Sequence, residues 1–151
     1  MMRIIGMPGV IRVDHIGIAV FDLDAGVDWY QRFLGASLIG REINLEQMVE
    51  EATLDLKGTT FQLIKPIGEL SPVNKFLETR GEGLQQIALE VSNLDNSVDF
   101  ALENHIRVIF EKSKNGTNGS RINFLHPKDC FGVLIELVEH PKVQLKLKQS
   151  E

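Results

Sequence analysis

An internal repeat is the feature of this sequence that most limits its possible folds. The segment VDHIGIAVFDLDAGVDW, residues 13–29, matches LQQIALEVSNLDNSVDF, residues 84–100, without a gap. His15 in the first copy therefore matches Gln86 in the second, 71 residues later. Self-similarity at a fixed spacing indicates that one supersecondary unit occurs twice.

A second stretch of sequence similarity extends both copies of the repeat. The segment FQLIKP, residues 61–66, resembles IELVEH, residues 135–140, so that Gln62 matches Glu136. Together the two stretches of similarity predict two tandem modules within one domain. We place this domain at residues 1–151, with module one at about 10–68, a linker helix at about 71–80 and module two at about 82–140.

The residue pattern of each module predicts the element order βαβββ. Residues 12–20 alternate between two faces, as a half-buried strand does. Asp24 is a plausible N-cap for the helix that follows, and Gly35 is placed to end it. The remaining predicted elements are strands near 37–43, 48–56 and 59–65, then a strand at 84–91, a helix from Asp95 to about Asn104, and strands near 106–111, 119–125 and 132–138. The run NGTNGS predicts an exposed hairpin loop, and the whole predicts an α+β fold.

Composition excludes several classes of function. Of the 151 residues, 43% are hydrophobic and 25% charged, which is ordinary for a globular domain. The formal net charge of −5 argues against nucleic-acid binding, and no apolar run is long enough to span a membrane. The single cysteine, Cys130, and the lack of a signal-peptide pattern at the start favour a cytoplasmic location.

Four polar residues occupy the repeated positions. His15 and Gln62 belong to module one, and Gln86 and Glu136 belong to module two. Residues of one strand face point in one direction, so two such modules predict one shared cleft. Glu136 lies within the apolar run VLIELV, where an ionised carboxylate is costly unless a metal or another cation compensates its charge.

Several motifs carry a resemblance to a known family. They are VDHIGIAV, Glu46-Gln47, FQLIKP, SPVNKFLETRGEGLQQIALEV and INFLHPKDCFGVLIEL. From about residue 12 to residue 140, the sequence resembles the vicinal oxygen chelate (glyoxalase/bleomycin resistance/dioxygenase) superfamily and, within it, the methylmalonyl-CoA epimerase family. The resemblance implies two βαβββ modules forming a curved mixed sheet around one cleft. It also implies an acyl-CoA substrate. Tandem modules of this kind leave unpaired sheet edges, which favour a homodimer.

The resemblance further implies inversion of the carbon alpha to a thioester carbonyl. A carboxylate removes the alpha proton, an acid on the other face returns a proton, and a divalent cation stabilises the enolate. Glu46 matches the family's catalytic base and is placed at the start of the third strand. Glu136 is the second catalytic candidate, and Glu50, which has the same strand parity as Glu46, is an alternative.

The metal ligands implied by the resemblance are His15, Gln62, Gln86 and Glu136. The ion could be cobalt, zinc, nickel or magnesium. Gln86 stands where the family has histidine, and an amide oxygen is a harder and usually weaker donor to such ions than imidazole. The alternative function is therefore a metal-poor protein of the same superfamily that binds a small molecule or catalyses a different lyase or isomerase reaction.

Overall fold

The computed structural model describes residues 6–142, and its strands form one eight-stranded mixed sheet. The first five residues of the chain, part of the start from which a cytoplasmic location was predicted, lie outside this range. The elements of the first half are β1 (Val10–Ala19), α1 (Leu23–Leu34), β2 (Ser37–Asn44), β3 (Val49–Leu56) and β4 (Thr59–Pro66), followed by α2 (Pro72–Arg80). Within the described range, no helix is both long and apolar enough to cross a membrane.

The second half repeats this order with a shorter second strand. Its elements are β5 (Gly83–Val91), α3 (Leu94–Glu103), β6 (Lys114–Asn115), β7 (Arg121–Leu125) and β8 (Ile135–Glu139). The prediction of a strand at 106–111 is wrong, since only an isolated bridge between Val108 and Leu125 forms there. The side chain of Asn123 interrupts the pairing: it accepts a hydrogen bond from the Phe110 N–H (3.1 Å) and donates one to the Phe110 carbonyl (2.9 Å), so backbone hydrogen bonds remain only at Arg107 and Ile109.

The strand order confirms the predicted α+β fold with a curved mixed sheet built from two βαβββ units. The order is β2-β3-β4-β1-β5-β8-β7-β6, so the first strands of the two units pair antiparallel at the centre. Within the first unit Gly17 pairs with Gln62 on parallel strands, and within the second Ala88 pairs with Glu136. These registers are equivalent under the sequence repeat, so the duplication extends to individual residue pairs.

The start of α1 corrects one prediction and its end confirms another. Asp22, not Asp24, is the N-cap, and its carboxylate accepts a hydrogen bond from the Ala25 N–H at 3.0 Å. Asp24 lies in the first helical turn and pairs with Arg41 instead. Gly35 ends the helix in the left-handed conformation (φ 73°), which glycine adopts without steric cost.

The helices divide between the two faces of the sheet. On the outer face α1 packs over Leu54 and Leu63, and α3 packs in the same way over Leu137. On the inner face α2 packs against Ile64 and Val49, beside the strand position of Gln62. Because side chains alternate along a strand, the residue next to each buried outer leucine points into the cleft.

Candidate active site

The structure brings the four repeated polar residues to one place on the inner face. All four side chains are buried. The Gln86 amide nitrogen lies 3.4 Å from His15 Nε2 and also donates a short hydrogen bond to the Glu136 carboxylate, which is 3.7 Å from His15 Nε2. Gln62 lies on the neighbouring strand β4, at the level of Gly17. The predicted shared cleft therefore exists, although Gln62 makes its hydrogen bonds to other residues.

A glycine makes room for this cluster. Gly17 pairs with Gln62 on one side and with Gln86 on the other. A Cβ atom at this position would lie 2.4 Å from Cγ of Gln86, a distance that folded proteins do not tolerate. The small residue at position 17 is therefore required by the Gln86 side chain.

The orientation of the His15 ring is set by Asp14. The Asp14 carboxylate lies 2.7 Å from Nδ1 of His15 and 2.6 Å from Nε2 of His140, 126 residues later in the chain. Nδ1 is thus occupied, and Nε2 faces Gln86 and Glu136. A carboxylate that holds the far nitrogen of a histidine in this way fixes the ring for metal binding or catalysis.

Burial and hydrogen bonding have opposing effects on the pKa values of His15 and Asp14. Burial disfavours the charged His15 ring, but the hydrogen bonds with Asp14 and Glu136 outweigh burial and raise its pKa to about 9. Burial likewise opposes the charge on Asp14, yet the hydrogen bonds with His15 and His140 lower its pKa to about 2. The two charges therefore stabilise each other inside the protein.

Glu51 is a buried carboxylate of the site that the sequence analysis did not select. Its Oε2 accepts hydrogen bonds from the Thr117 hydroxyl and, at 3.3 Å, from the Gln62 amide. Burial raises the pKa of Glu51 to about 7, with a further contribution from the charge of Glu136, while the bond from Thr117 opposes the shift. A carboxylate with a pKa near neutrality accepts a proton more readily than an exposed one.

The placement of Glu46 on the third strand is wrong. Residues 45–48 form a turn before β3, where the Glu46 side chain is exposed and accepts a hydrogen bond from the Asn115 N–H at 3.3 Å. Glu50, the alternative with the same parity, points outward and pairs with Arg41 at 2.8 Å. Neither residue lines the cavity described below, and the catalytic role of Glu46 stays a prediction that its position does not favour. Counting every second residue of β3 from the buried, apolar Val49 would have placed Glu51 on the cavity face.

The NGTNGS loop is not the simple exposed hairpin that its composition predicts. A short 3₁₀ turn at Thr117–Gly119 lies across module one, where the Asn118 N–H donates to Glu42 at 3.0 Å. The Thr117 hydroxyl accepts a hydrogen bond from Gln62 at 2.9 Å and donates one to Glu51. The loop therefore supplies a polar side chain to the site.

We expect Thr117→Val to lower the free energy of unfolding by about 1–3 kcal/mol, because it leaves the buried Glu51 and Gln62 without their shared partner. Urea denaturation measures this change. Thr117→Ser, which keeps the hydroxyl, is the matched control. A loss in Thr117→Ser as large as the loss in Thr117→Val would show that the effect is not specific to the hydroxyl and its hydrogen bonds.

A cavity of about 490 Å³ opens beside the cluster. Its polar lining residues include Glu51, Gln86 and Glu136, and Lys75 and Arg80 of α2 also line it. The apolar lining residues include Val73, Phe76, Ile109, Phe110, Ile122 and Phe124. A mostly apolar cavity with a few convergent polar groups is typical of a small-molecule site.

Comparison with known proteins assigns the family. The model of the glyoxalase/bleomycin resistance protein/dioxygenase superfamily matches residues 14–124. The chain belongs to this superfamily. The match spans β1 to β7 and includes His15, Gln62 and Gln86, which confirms the resemblance inferred from the sequence motifs.

Within the glyoxalase superfamily, the chain is similar to several methylmalonyl-CoA epimerases. The chain is 36% identical over 128 residues to the mitochondrial methylmalonyl-CoA epimerase of Bos taurus, covering 83% of this chain and 73% of the bovine protein. The crystal structure of methylmalonyl-CoA epimerase from Mycobacterium tuberculosis is 43% identical, with a TM-score of 0.86 over 92% of this chain and 94% of that chain. A Streptomyces coelicolor methylmalonyl-CoA epimerase variant in complex with 2-nitronate-propionyl-CoA is 40% identical, with a TM-score of 0.83 over 88% and 99% of the two chains.

Proposed function

We propose that this protein is an epimerase that inverts the carbon alpha to the thioester carbonyl of methylmalonyl-CoA or a close acyl-CoA analogue. Its relatives at 34–43% identity include several methylmalonyl-CoA epimerases, and one solved relative holds methylmalonyl-CoA. The single observation that carries the proposal is a pair of buried carboxylates, Glu51 and Glu136, that come from different modules and line one cavity.

Inversion requires that a proton leave one face of the alpha carbon and that a proton reach the other. Glu51 lies on β3 of module one and Glu136 on β8 of module two, so the two carboxylates approach the cavity from separate halves of the sheet. We assign the proton-abstracting role to Glu51 in place of Glu46, because it is buried and lines the cavity. Glu136 keeps its role as second candidate for proton transfer in the protein without a bound metal, since a metal ion would occupy its carboxylate.

The donor set of the cleft fits a divalent cation that accepts oxygen ligands. The proposed ligands are His15 through Nε2, the amide oxygens of Gln62 and Gln86, and the Glu136 carboxylate. With one imidazole and three oxygen donors, the set is better suited to Mg²⁺ or Co²⁺ than to zinc. Such an ion would supply Lewis-acid stabilisation to an enolate oxygen. Asp14 orients His15 for this purpose, since it holds Nδ1 and leaves Nε2 directed at the cluster.

Exchange of the alpha proton tests the proposed function. Methylmalonyl-CoA is incubated with the protein in deuterated water, with and without added Mg²⁺, Co²⁺ or Ni²⁺, and deuterium incorporation is followed by mass spectrometry. We expect incorporation at a rate well above the protein-free background. A rate equal to the background with every added metal would contradict the epimerase assignment.

We expect Gln86→His to raise the affinity for Co²⁺ or Zn²⁺ by at least about tenfold, because an imidazole nitrogen is a stronger donor to these ions than an amide oxygen. Isothermal titration of the metal-stripped protein measures the change. Mg²⁺ affinity serves as the control, because this harder ion gains little from imidazole. Equal affinities of the two proteins for Co²⁺ would show that residue 86 does not bind the ion.

One observation favours the alternative of a metal-poor binding protein. The Gln86 amide nitrogen donates to the Glu136 carboxylate, which directs its N–H group rather than its oxygen into the cluster. Elemental analysis of the untagged protein separates the two functions: a stoichiometric divalent metal supports the epimerase, and a metal-free protein without exchange activity supports the alternative. The homodimer and the cytoplasmic location stay predictions.

A further inference from the structure

A β-bulge lies next to the candidate site. On strand β5 the pairing with β1 advances from Leu84 opposite Ile18 to Gln86 opposite Gly17, so Gln85 is an extra residue without a partner position. Two consecutive residues of a regular strand point to opposite faces, yet Gln85 and Gln86 both line the cavity. Bulges beside active sites commonly redirect a side chain in this way.

The redirected side chain contains an unsatisfied polar atom. Oε1 of Gln85 is buried and has no hydrogen-bond partner among the residues that the structure describes. The same is true of Nε2 of Gln47, in the turn between β2 and β3. Both glutamines line the cavity. A buried polar atom without a partner destabilises the folded protein, and a ligand that offers both a donor and an acceptor at this cavity would satisfy both glutamines.

The two unsatisfied atoms specify the chemistry of that ligand. Oε1 of Gln85 needs a donor, and Nε2 of Gln47 needs an acceptor. A carboxylate accepts hydrogen bonds only, so it would leave the Gln85 oxygen unsatisfied and repelled. A secondary amide carries one N–H donor and one carbonyl acceptor and therefore satisfies both glutamines.

An acyl-CoA carries such a group close to its reacting carbon. In the pantetheine arm, the first secondary amide follows the thioester sulfur after two methylene groups. Gln85 is the chain neighbour of Gln86, and Gln47 lies in the turn that leads into β3, four residues before Glu51. Both glutamines are thus placed close to the proposed reaction centre.

We propose that Gln85 and Gln47 bind the first pantetheine amide of the acyl-CoA, with Gln85 accepting from its N–H and Gln47 donating to its carbonyl. This inference rests on the proposed function, because it assumes an acyl-CoA substrate. In this proposal the β-bulge of β5 recognises the pantetheine arm of the substrate rather than its acyl group.

A matched pair of truncated substrates tests the inference. The methylmalonyl thioester of N-acetylcysteamine keeps the first amide, and the S-pentyl thioester replaces that amide by hydrocarbon of the same chain length. We expect the protein to prefer the amide substrate in kcat/KM by about tenfold, the value of one to two neutral hydrogen bonds. In Gln85→Met and in Gln47→Met, which remove the polar group at similar volume, we expect the preference to fall to about threefold or less.

Conservative substitutions give opposite results at the two positions. Gln85→Glu keeps an acceptor and is expected to retain the preference for the amide, whereas Gln47→Glu loses the donor and is expected to abolish it. Gln31→Met on the exposed surface of α1 is the control and keeps the ratio of the unmodified protein. Because the S-pentyl substrate is the reference in every variant, general effects on folding or on the reaction centre cancel from the ratio.

An unchanged ratio in both methionine variants would overturn the inference. Loss of the preference in Gln85→Glu, with retention in Gln47→Glu, would do so too, because it would show that residue 85 donates to the amide and residue 47 accepts from it. A protein that does not epimerise methylmalonyl-CoA at all would contradict the proposed function. Binding of the unreactive propionyl thioesters of the same two thiols then measures the amide preference without turnover, and a wild-type preference that vanishes in Gln85→Met would support the inference on its own.

Discussion

Replacement of Glu51 by Gln is expected to lower the rate of alpha-proton exchange of methylmalonyl-CoA by about 10²–10⁴-fold, the usual contribution of a positioned general base. The substitution removes the proton acceptor and keeps the size of the side chain. The matched control is Glu46→Gln, which changes the exposed carboxylate of the preceding turn and should leave the rate within about twofold of the unmodified protein. Deuterium incorporation under saturating substrate measures both variants.

A loss of folding does not account for the expected effect of Glu51→Gln. Burial raises the pKa of Glu51 from 4.5 to about 7, so ionisation of this carboxyl lowers the stability progressively between these pH values and fully above pH 7, and a neutral amide removes this loss. The thermal midpoint of the variant at pH 8 should therefore be equal to or higher than that of the unmodified protein. A large loss of exchange in Glu46→Gln with none in Glu51→Gln would reverse the assignment.

Gly17→Ala is expected to lower the free energy of unfolding by about 1–3 kcal/mol and to abolish exchange activity. The added Cβ would meet Cγ of Gln86 at 2.4 Å, so either the Gln86 side chain or the pairing of β1 with β5 must shift. Urea denaturation and the exchange assay measure the two effects. The control is Gly40→Ala on β2, where no atom lies within 4 Å of the added Cβ and stability should be unchanged or slightly higher.

Combining Gly17→Ala with Gln86→Ala identifies the cause of the loss. The smaller side chain at position 86 removes the clash, so the double variant should be more stable than the sum of the single effects predicts. Additive losses would show that the glycine is required for backbone reasons unrelated to Gln86.

The sequence alone determined the duplicated architecture and the positions of four site residues. The period-2 pattern around His15 and the gapless match to Gln86 are local properties of the chain, and a repeat in sequence carries its strand register with it. For this reason Gly17 pairs with Gln62 as Ala88 pairs with Glu136. The side chains of His15, Gln86 and Glu136 contact one another, and Gln62 lies on the neighbouring strand with its hydrogen bonds to Glu51 and Thr117. Helix ends that depend on one residue, such as Gly35, were also predictable.

The tertiary structure alone decided which carboxylate lies in the cavity and which loop covers it. The face of Glu51 depends on where the turn at 45–48 ends and β3 begins, and a shift of one residue there exchanges buried and exposed side chains. Thr117 meets Glu51, and His140 meets Asp14, through folding of distant segments, and no local pattern records such contacts. Local periodicity thus specifies the strands of the epimerase-like cleft, whereas long-range packing selects the residues that complete it.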